Sequence, residues 1–266
     1  MKDKVVIITG GSSGIGKACA KLFGKSGSKV VITGRDQKKL DIAARELNDV
    51  EILAIQADSS IEEDNKKIIE ETLEQFGRID ILINNAGISM RALFQDLDLE
   101  VFKKVMDINF YGTVYATKYC LPHILASKGA IVAISSVNGF RGTPARTAYS
   151  ASKYAMNGFM ESLRTEVMRQ GVHVMVVCPG FTASNIRNTA LKADGSIQGE
   201  SPRDEEKLMP AEEVAREIIK GLQKKKRDVV LTGQGKLVNF LNKWIPGKMD
   251  QLVYNHMARE KDSPFK

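Results

Sequence analysis

Seven short runs of apolar, largely β-branched residues recur along the chain, and their alternation with segments of helical period constrains the fold more than any other feature. The runs are residues 4–9 (KVVIIT), 29–33 (KVVIT), 51–57 (EILAIQA), 79–84 (IDILIN), 130–135 (AIVAIS), 172–177 (VHVMVV) and 228–232 (DVVLT). Nearly continuous apolarity marks strands buried on both faces. Between them, Ile15 to Phe23, residues 38–47, 65–76, about 99–126, Tyr149 to Met168 and 211–222 carry apolar residues at helical spacing. This order predicts an α/β fold: right-handed βαβ crossovers building a doubly wound parallel sheet with helices on both faces. No Pro/Ser-rich linker or internal repeat divides the 266 residues, so one domain, 1–266, is expected.

Composition excludes several function classes. With 43% hydrophobic and 27% charged residues the chain is globular, not disordered or fibrous. Cys19, Cys120 and Cys178 are odd in number and widely spaced, which argues against a disulfide framework or a zinc knuckle. His123, His173 and His256 form no HxH or HExxH pattern, so no metal site is expected. The first apolar run is too short for a signal segment and no stretch approaches a membrane span. A cytoplasmic protein, at most attached to a membrane surface, is expected. The net charge of +7 is not gathered into a stripe, so no nucleic-acid partner is expected. Its one dense run, KKKR at 224–227, reads as a solvated helix end or as an anion or lipid contact.

The chemistry lies after the strands. TGGSSGIG, Thr9 to Gly16, follows the first strand and opens the first helix, with Gly10, Gly14 and Gly16 where a tight turn needs them. Such a turn aims backbone N–H groups and a helix N-terminus at a pyrophosphate. Later, Tyr149 and Lys153 stand one helical turn apart in AYSASKYA and so share a face.

The spacing of the Gly-rich turn is TGxxxGxG and resembles the short-chain dehydrogenase/reductase superfamily. The resemblance runs through NNAG at 84–87, Asn109, ISS ending at Ser136, YSASK at 149–153 and PG at 179–180. It implies a single-domain Rossmann-type enzyme that interconverts a ketone and a secondary alcohol by hydride transfer. Tyr149 would be the proton donor or acceptor, Lys153 would lower its pKa and bind the nicotinamide ribose, and Ser136 would hydrogen-bond the substrate oxygen. Ser135 is adjacent, but alternation along a strand turns it to the opposite face. Asn109 matches the family residue whose backbone carbonyl holds a water in a proton relay. The cofactor set implied is Gly10, Ser12, Ser13, Gly14, Ile15, Gly16, Arg35, Asp58, Asn85, Ala86, Gly87, Tyr149, Lys153, Pro179, Gly180 and Thr182.

A phenol with a reference pKa near 10 needs its anion stabilised to work as an acid near pH 7, which is the task the Lys is expected to perform. After the second strand the sequence reads TGRD. Arg35 stands where NADP-preferring reductases carry a base, able to fork onto a 2′-phosphate, so NADP(H) is favoured over NAD(H). A one-residue shift of the strand end would instead make Asp36 a ribose-binding acid. Asp58 matches the adenine contact and could also cap the next helix. Tyr154 fits no motif and is expected to pack.

Residues 183–209, rich in Ser, Asn, Asp and Gly, are expected to form a mobile substrate loop. With the tail, this stretch is similar to hydroxysteroid dehydrogenases and acyl-dihydroxyacetone phosphate reductase-like proteins, which implies a lipophilic carbonyl substrate. The tail, about 235–258, is amphipathic and interrupted at IPG. Three uses stay open: folding over the substrate pocket and a subunit interface, resting on a membrane surface, or core packing. The family implies a homodimer or homotetramer. An NAD(P)-binding regulatory or membrane-surface protein without turnover is the alternative to an enzyme.

Overall fold

A computed structural model describes residues 1–260 and 263–265. All seven apolar runs form strands: β1 (Val5–Ile8), β2 (Lys29–Gly34), β3 (Ile52–Gln56), β4 (Ile81–Asn84), β5 (Ala130–Ile134), β6 (His173–Cys178) and β7 (Asp228–Val230). They pair in parallel in the order β3-β2-β1-β4-β5-β6-β7, in register from Val5 opposite Lys29 to Cys178 opposite Val230. β1, β4 and β5 are buried throughout, whereas the edge strands β3 and β7 are only partly covered.

Alternation along each strand divides the core between two faces. Val6 and Ile8 of β1 pack with α1 (Gly14–Lys25), α2 (Gln37–Glu46) and α7 (Ala211–Gln223), through Phe23, Leu40 and Ile218 among others. Ile7, between them, packs on the other face with α3 (Glu62–Phe76), α5 (Gly112–Ser127) and α6 (Thr147–Val167), through Ile68, Ile124 and Met160. Burying each such side chain stabilises the fold by roughly 2 kcal/mol.

The stretch expected as one helix over 99–126 is three pieces. α4 (Leu99–Met106) runs into a π turn at Asp107–Tyr111, and α5 continues from it. The wide turn is stabilised by Asn109, as described below. The tail forms α8 (Gly233–Trp244) and α9 (Pro246–Ala258), broken at Ile245–Pro246, with Pro246 in the first turn of α9. KKKR lies exposed at the end of α7, and Arg227 pairs with Glu161 and Asp228. Among the described residues no helix is long and apolar enough to cross a membrane.

The chain order reverses between β1, which leads outward to β2 and β3, and β4, which leads to β5, β6 and β7. A crevice opens at such a switch, outside the carboxyl ends of the strands. The amino ends are closed instead by Asp80, whose side chain is 1% exposed. It accepts from the Lys4 ammonium (2.9 Å), the Val5 N–H (3.0 Å) and two nitrogens of Arg78 (2.7 and 2.9 Å). Replacing Asp80 by Ala leaves these donors without an acceptor. The expected loss is about 3 kcal/mol of unfolding free energy in urea titration, whereas a loss below about 1 kcal/mol would contradict this account.

Candidate active site

The turn after β1 is built for close approach. Gly10 and Gly14 have φ of +66° and +51°, conformations that L side chains rarely adopt. A Cβ on Gly16 would lie 2.3 Å from the Gly10 carbonyl oxygen and 2.6 Å from Asn85 Nδ2. Gly16 thus serves packing between the turn and the loop after β4, and it does not line the cavity beside it. Two side chains join these loops. The Thr9 hydroxyl accepts from the N–H groups of Asn85 and Ala86, both at 3.0 Å. The Asn85 amide donates back to the carbonyls of Thr9 (2.9 Å) and Gly10 (3.0 Å). Ser13 is the N-cap of α1, yet its side chain makes no capping bond. The first N–H groups of α1 are therefore not capped by this side chain and open toward the cavity, a cradle that fits a pyrophosphate.

β2 ends at Gly34, which settles the order of Arg35 and Asp36. Asp36 is the N-cap of α2 and accepts from the Lys39 N–H at 3.2 Å, so its carboxylate is engaged by the helix start. Arg35 precedes it, more than half exposed, with Nη1 4.0 Å from Asp58 Oδ2. Asp58 does not cap α3, whose N-cap is Ile61; it accepts from the N–H and hydroxyl of Ser60, forming a tight turn ahead of the helix. Arg35, Asp36, Lys39 and Asp58 line the same end of the cavity.

The cavity encloses about 1400 Å³ and runs from Arg35 past the Gly-rich turn to Ser136, Tyr149 and Lys153. Gly10, Ser12, Ser13, Gly14, Ile15, Asn85, Ala86, Gly87, Pro179, Gly180 and Thr182 also line it. Of the catalytic and cofactor-binding residues that the resemblance implies, only Gly16 and Asn109 do not. Asn109 is fully buried in the π turn and acts through its neighbours. Its carboxamide accepts from the Ile88 N–H (2.8 Å), donates to the Ile88 carbonyl (2.9 Å) and donates to Ser152 Oγ (3.0 Å). Ser152 Oγ in turn donates to the Tyr149 carbonyl at 2.8 Å. Asn109 thereby ties the loop after β4 to the helix that carries Tyr149 and Lys153.

Ser136 follows β5 and accepts from the Asn138 N–H at 3.1 Å, while its hydroxyl interacts with the Tyr149 phenol. Ser135 points elsewhere: it is buried and donates to the Lys153 carbonyl at 3.5 Å. Lys153 is 3% exposed, its ammonium donating to the Ile134 carbonyl at 2.8 Å and standing 5.8 Å from the centre of the Tyr149 ring. Burial lowers its pKa to about 8. Burial also pushes the Tyr149 phenol above its ordinary value, against the pull of the Ser136 hydrogen bond and of the Arg146 and Arg187 charges.

In both groups burial is the largest influence. Arg146 and Arg187, which the sequence reading did not single out, supply the positive charge felt by the phenol. Arg146 was within reach of that reading, standing three residues before Tyr149 and thus near the same helix face. Tyr154 is also displaced from its expected place: 46% exposed, it donates to the Phe140 carbonyl instead of packing in the core.

The far side of the cavity is formed by residues 183–209 and the two C-terminal helices. Arg187 is held by Glu205 and donates to the Thr182 carbonyl, and Leu191 is bridged to Met90 and Ile197. From α8 and α9, Leu237, Leu241, Met249 and Val253 line the cavity. The tail therefore folds over the pocket, while Phe240 and Trp244 stay 61% and 73% exposed on its outside.

Residues 4–195 match the family model described as short chain dehydrogenase. The chain is 36% identical over 271 residues to mouse dehydrogenase/reductase SDR family member 7B, covering 99% of this chain and 84% of that protein. It is 39% identical over 193 residues to an Arabidopsis thaliana 11-beta-hydroxysteroid dehydrogenase-like 2, covering 71% of this chain and 62% of that protein. Among solved structures, a short chain dehydrogenase/reductase from Burkholderia phymatum in complex with NAD aligns with a TM-score of 0.82 at 21% identity, covering 93% of this chain and 95% of that one. An alcohol dehydrogenase from Thermococcus sibiricus complexed with 5-hydroxy-NADP aligns at 0.75 and 24% identity, covering 86% and 96%. At these identities the two structures speak to the fold.

The buried Lys153 gives a pH signature in the cofactor-free protein. Its folded pKa of about 8 lies below its ordinary 10.5, so between these values the unfolded chain binds the extra proton. The stability at this position is complete above pH 10.5 and is lost as the pH falls through 8. Relative to Lys153→Met, the wild-type unfolding free energy should rise across this window by on the order of 3 kcal/mol. Parallel pH curves for the two proteins would contradict the burial of the ammonium.

Proposed function

This chain belongs to the short-chain dehydrogenase/reductase family of NAD(P)-dependent oxidoreductases, and from that premise we propose that it interconverts a lipophilic ketone and its secondary alcohol with NADP(H). The observation that carries the reading is the single cavity with Arg35 and Lys39 at one end and the hydroxyls of Ser136 and Tyr149 at the other. A nicotinamide cofactor supplies or accepts the hydride.

The chain's own residues supply the rest. Gly10 to Ile15 present backbone N–H groups to the diphosphate. Arg35 and Lys39 favour the 2′-phosphate of NADP, while the Asp36 carboxylate beside them is engaged by the start of α2 and by the Lys39 ammonium. Ser136 donates to the substrate oxygen, stabilising the alkoxide as it develops. Tyr149, kept protonated by burial, donates the proton to that oxygen in reduction and takes it back in oxidation. The apolar lining from α8 and α9 excludes water and accepts the lipophilic part of the substrate.

An NADPH-oxidation screen across steroid, long-chain acyl and aromatic ketones tests the proposal. Turnover is expected with NADPH, and Arg35→Ala should lose about tenfold or more in kcat/KM for NADPH while retaining activity with NADH. Preference for NADH, or no loss in Arg35→Ala, would contradict the cofactor assignment, and no turnover of any ketone would contradict the reaction.

A further inference from the structure

The roof of the cavity is lightly held. α9 is as long as α7, yet it buries only Met249 and Met257 where α7 buries five residues, and α8 buries only Gly235. Leu237, Phe240, Trp244, Leu252 and Tyr254 stay between 49% and 73% exposed. Apolar burial this sparse anchors two helices weakly.

Ionic contacts anchor them instead. Near the break between the helices, Arg141, whose side chain is 15% exposed, donates to Asn242 of α8 at 3.1 Å and to Asp250 of α9. Just beyond α9 stands Glu260, which with Asp80 makes up the buried carboxylates among the described residues. It accepts from Arg203 at 2.6 Å and pairs with Arg91 at 3.6 Å. Arg91 belongs to the segment after β4, and Arg203 to residues 183–209, where it also lies 3.6 Å over the Phe181 ring. Arg146 feels the same carboxylate: burial lowers its pKa, and the Glu260 charge is the largest influence opposing that. One side chain thus supplies counter-charge to three largely buried guanidinium groups while it holds the tail against the wall that carries them.

The root of the tail can turn. Thr232, just ahead of α8, has φ of +65°, a strained conformation for a β-branched residue. Gly233 follows it, with nothing within 4 Å of the place a Cβ would take. A strained residue and an uncrowded glycine ahead of two lightly packed helices have the character of a hinge.

We propose that α8 and α9 form a gate that swings about Thr232 and Gly233, latched by the ion pairs of Glu260 with Arg91 and Arg203. Latched, the gate roofs the cavity with Leu237, Leu241, Met249 and Val253. Released, it lets ligand in and product out between α9 and residues 183–209. Withdrawing Glu260 removes counter-charge from a cluster of buried cations, so the open state is costly and transient. A ligand against the apolar roof favours the closed state. The gate goes beyond the proposed reaction and rests on it only for which ligand passes.

Hydrogen–deuterium exchange of the full chain, read peptide by peptide in a mass spectrometer, tests the latch without catalysis. In Glu260→Gln the amides of α8 and α9 should exchange about tenfold or more faster than in wild type, with those of β1, β4 and β5 unchanged. Asp250→Asn, which removes an exposed carboxylate from the Arg141 contact, should speed the same peptides to a smaller extent. No acceleration in either variant overturns the proposal. So does equal acceleration throughout the sheet, which would make Glu260 a general support of the fold. Steady-state kinetics with NADPH test passage, using methyl decyl ketone, long enough to need the roof, and butanone, which is not. Glu260→Gln should raise KM about tenfold for the long ketone and leave it within about twofold for the short one. Equal changes for the two overturn the gate. Turnover of neither ketone by wild type would count against the reductase reading instead, and the exchange measurement would still decide the latch.

Discussion

The carboxamide of Asn109 fixes the relation between the parts of the site. One planar group bonds both the N–H and the carbonyl of Ile88, as a neighbouring strand would, and spends its remaining N–H on Ser152. The loop after β4 and the helix carrying Tyr149 and Lys153 are held together by this contact. A regular α-turn would place the carboxamide differently, and the π turn at Asp107–Tyr111 accommodates it. Extra-wide turns of this kind weaken a helix locally and persist where the side chain they present is needed. Thr113, whose hydroxyl donates to the Asn109 carbonyl at 2.9 Å, helps satisfy the backbone there.

The sheet separates stability from chemistry along its length. At the amino ends Asp80 gathers Lys4, Val5 and Arg78 in an arrangement with every charge paired. At the carboxyl ends the balance is different: a buried Lys rests on a backbone carbonyl, and a buried Arg meets only neutral acceptors. Such groups cost stability unless a counter-charge or further hydrogen bonds offset their burial. The phenol of Tyr149 sits between them, its pKa raised by burial and lowered by Ser136, Arg146 and Arg187.

The fold was legible because each apolar run of the sheet is nearly continuous and the segments between the runs carry apolar residues at helical spacing. All seven strands fall within a residue or two of the runs that announce them, and the break at Pro246 follows from the missing N–H of proline. The π turn was not legible in its detail, since Ile88, the partner that fixes the Asn109 carboxamide, is distant in the chain. The short motifs marked the part of the cavity wall at the carboxyl ends of β1, β4, β5 and β6, with Tyr149 and Lys153 added from α6. Arg146 and Arg187 escaped because their roles depend on charges from remote segments, such as Glu205 and Glu260, whereas the fold of the tail over the pocket was one of the three uses left open. Spacing shows that Tyr149 and Lys153 share a face but not how deeply they are buried, and burial raises the pKa of the one and lowers that of the other.

The central claim is that a hydride and a proton reach the carbonyl from separate groups, the proton from Tyr149. It is tested most directly by reducing a ketone with NADPH deuterated at its transferring position and comparing wild type with Tyr149→Phe. The account predicts one deuterium on the carbinol carbon with wild type, and a fall of roughly a hundredfold or more in kcat for a Tyr149→Phe protein that still binds NADPH. Deuterium lost to solvent, or a Tyr149→Phe variant as fast as wild type, would contradict it.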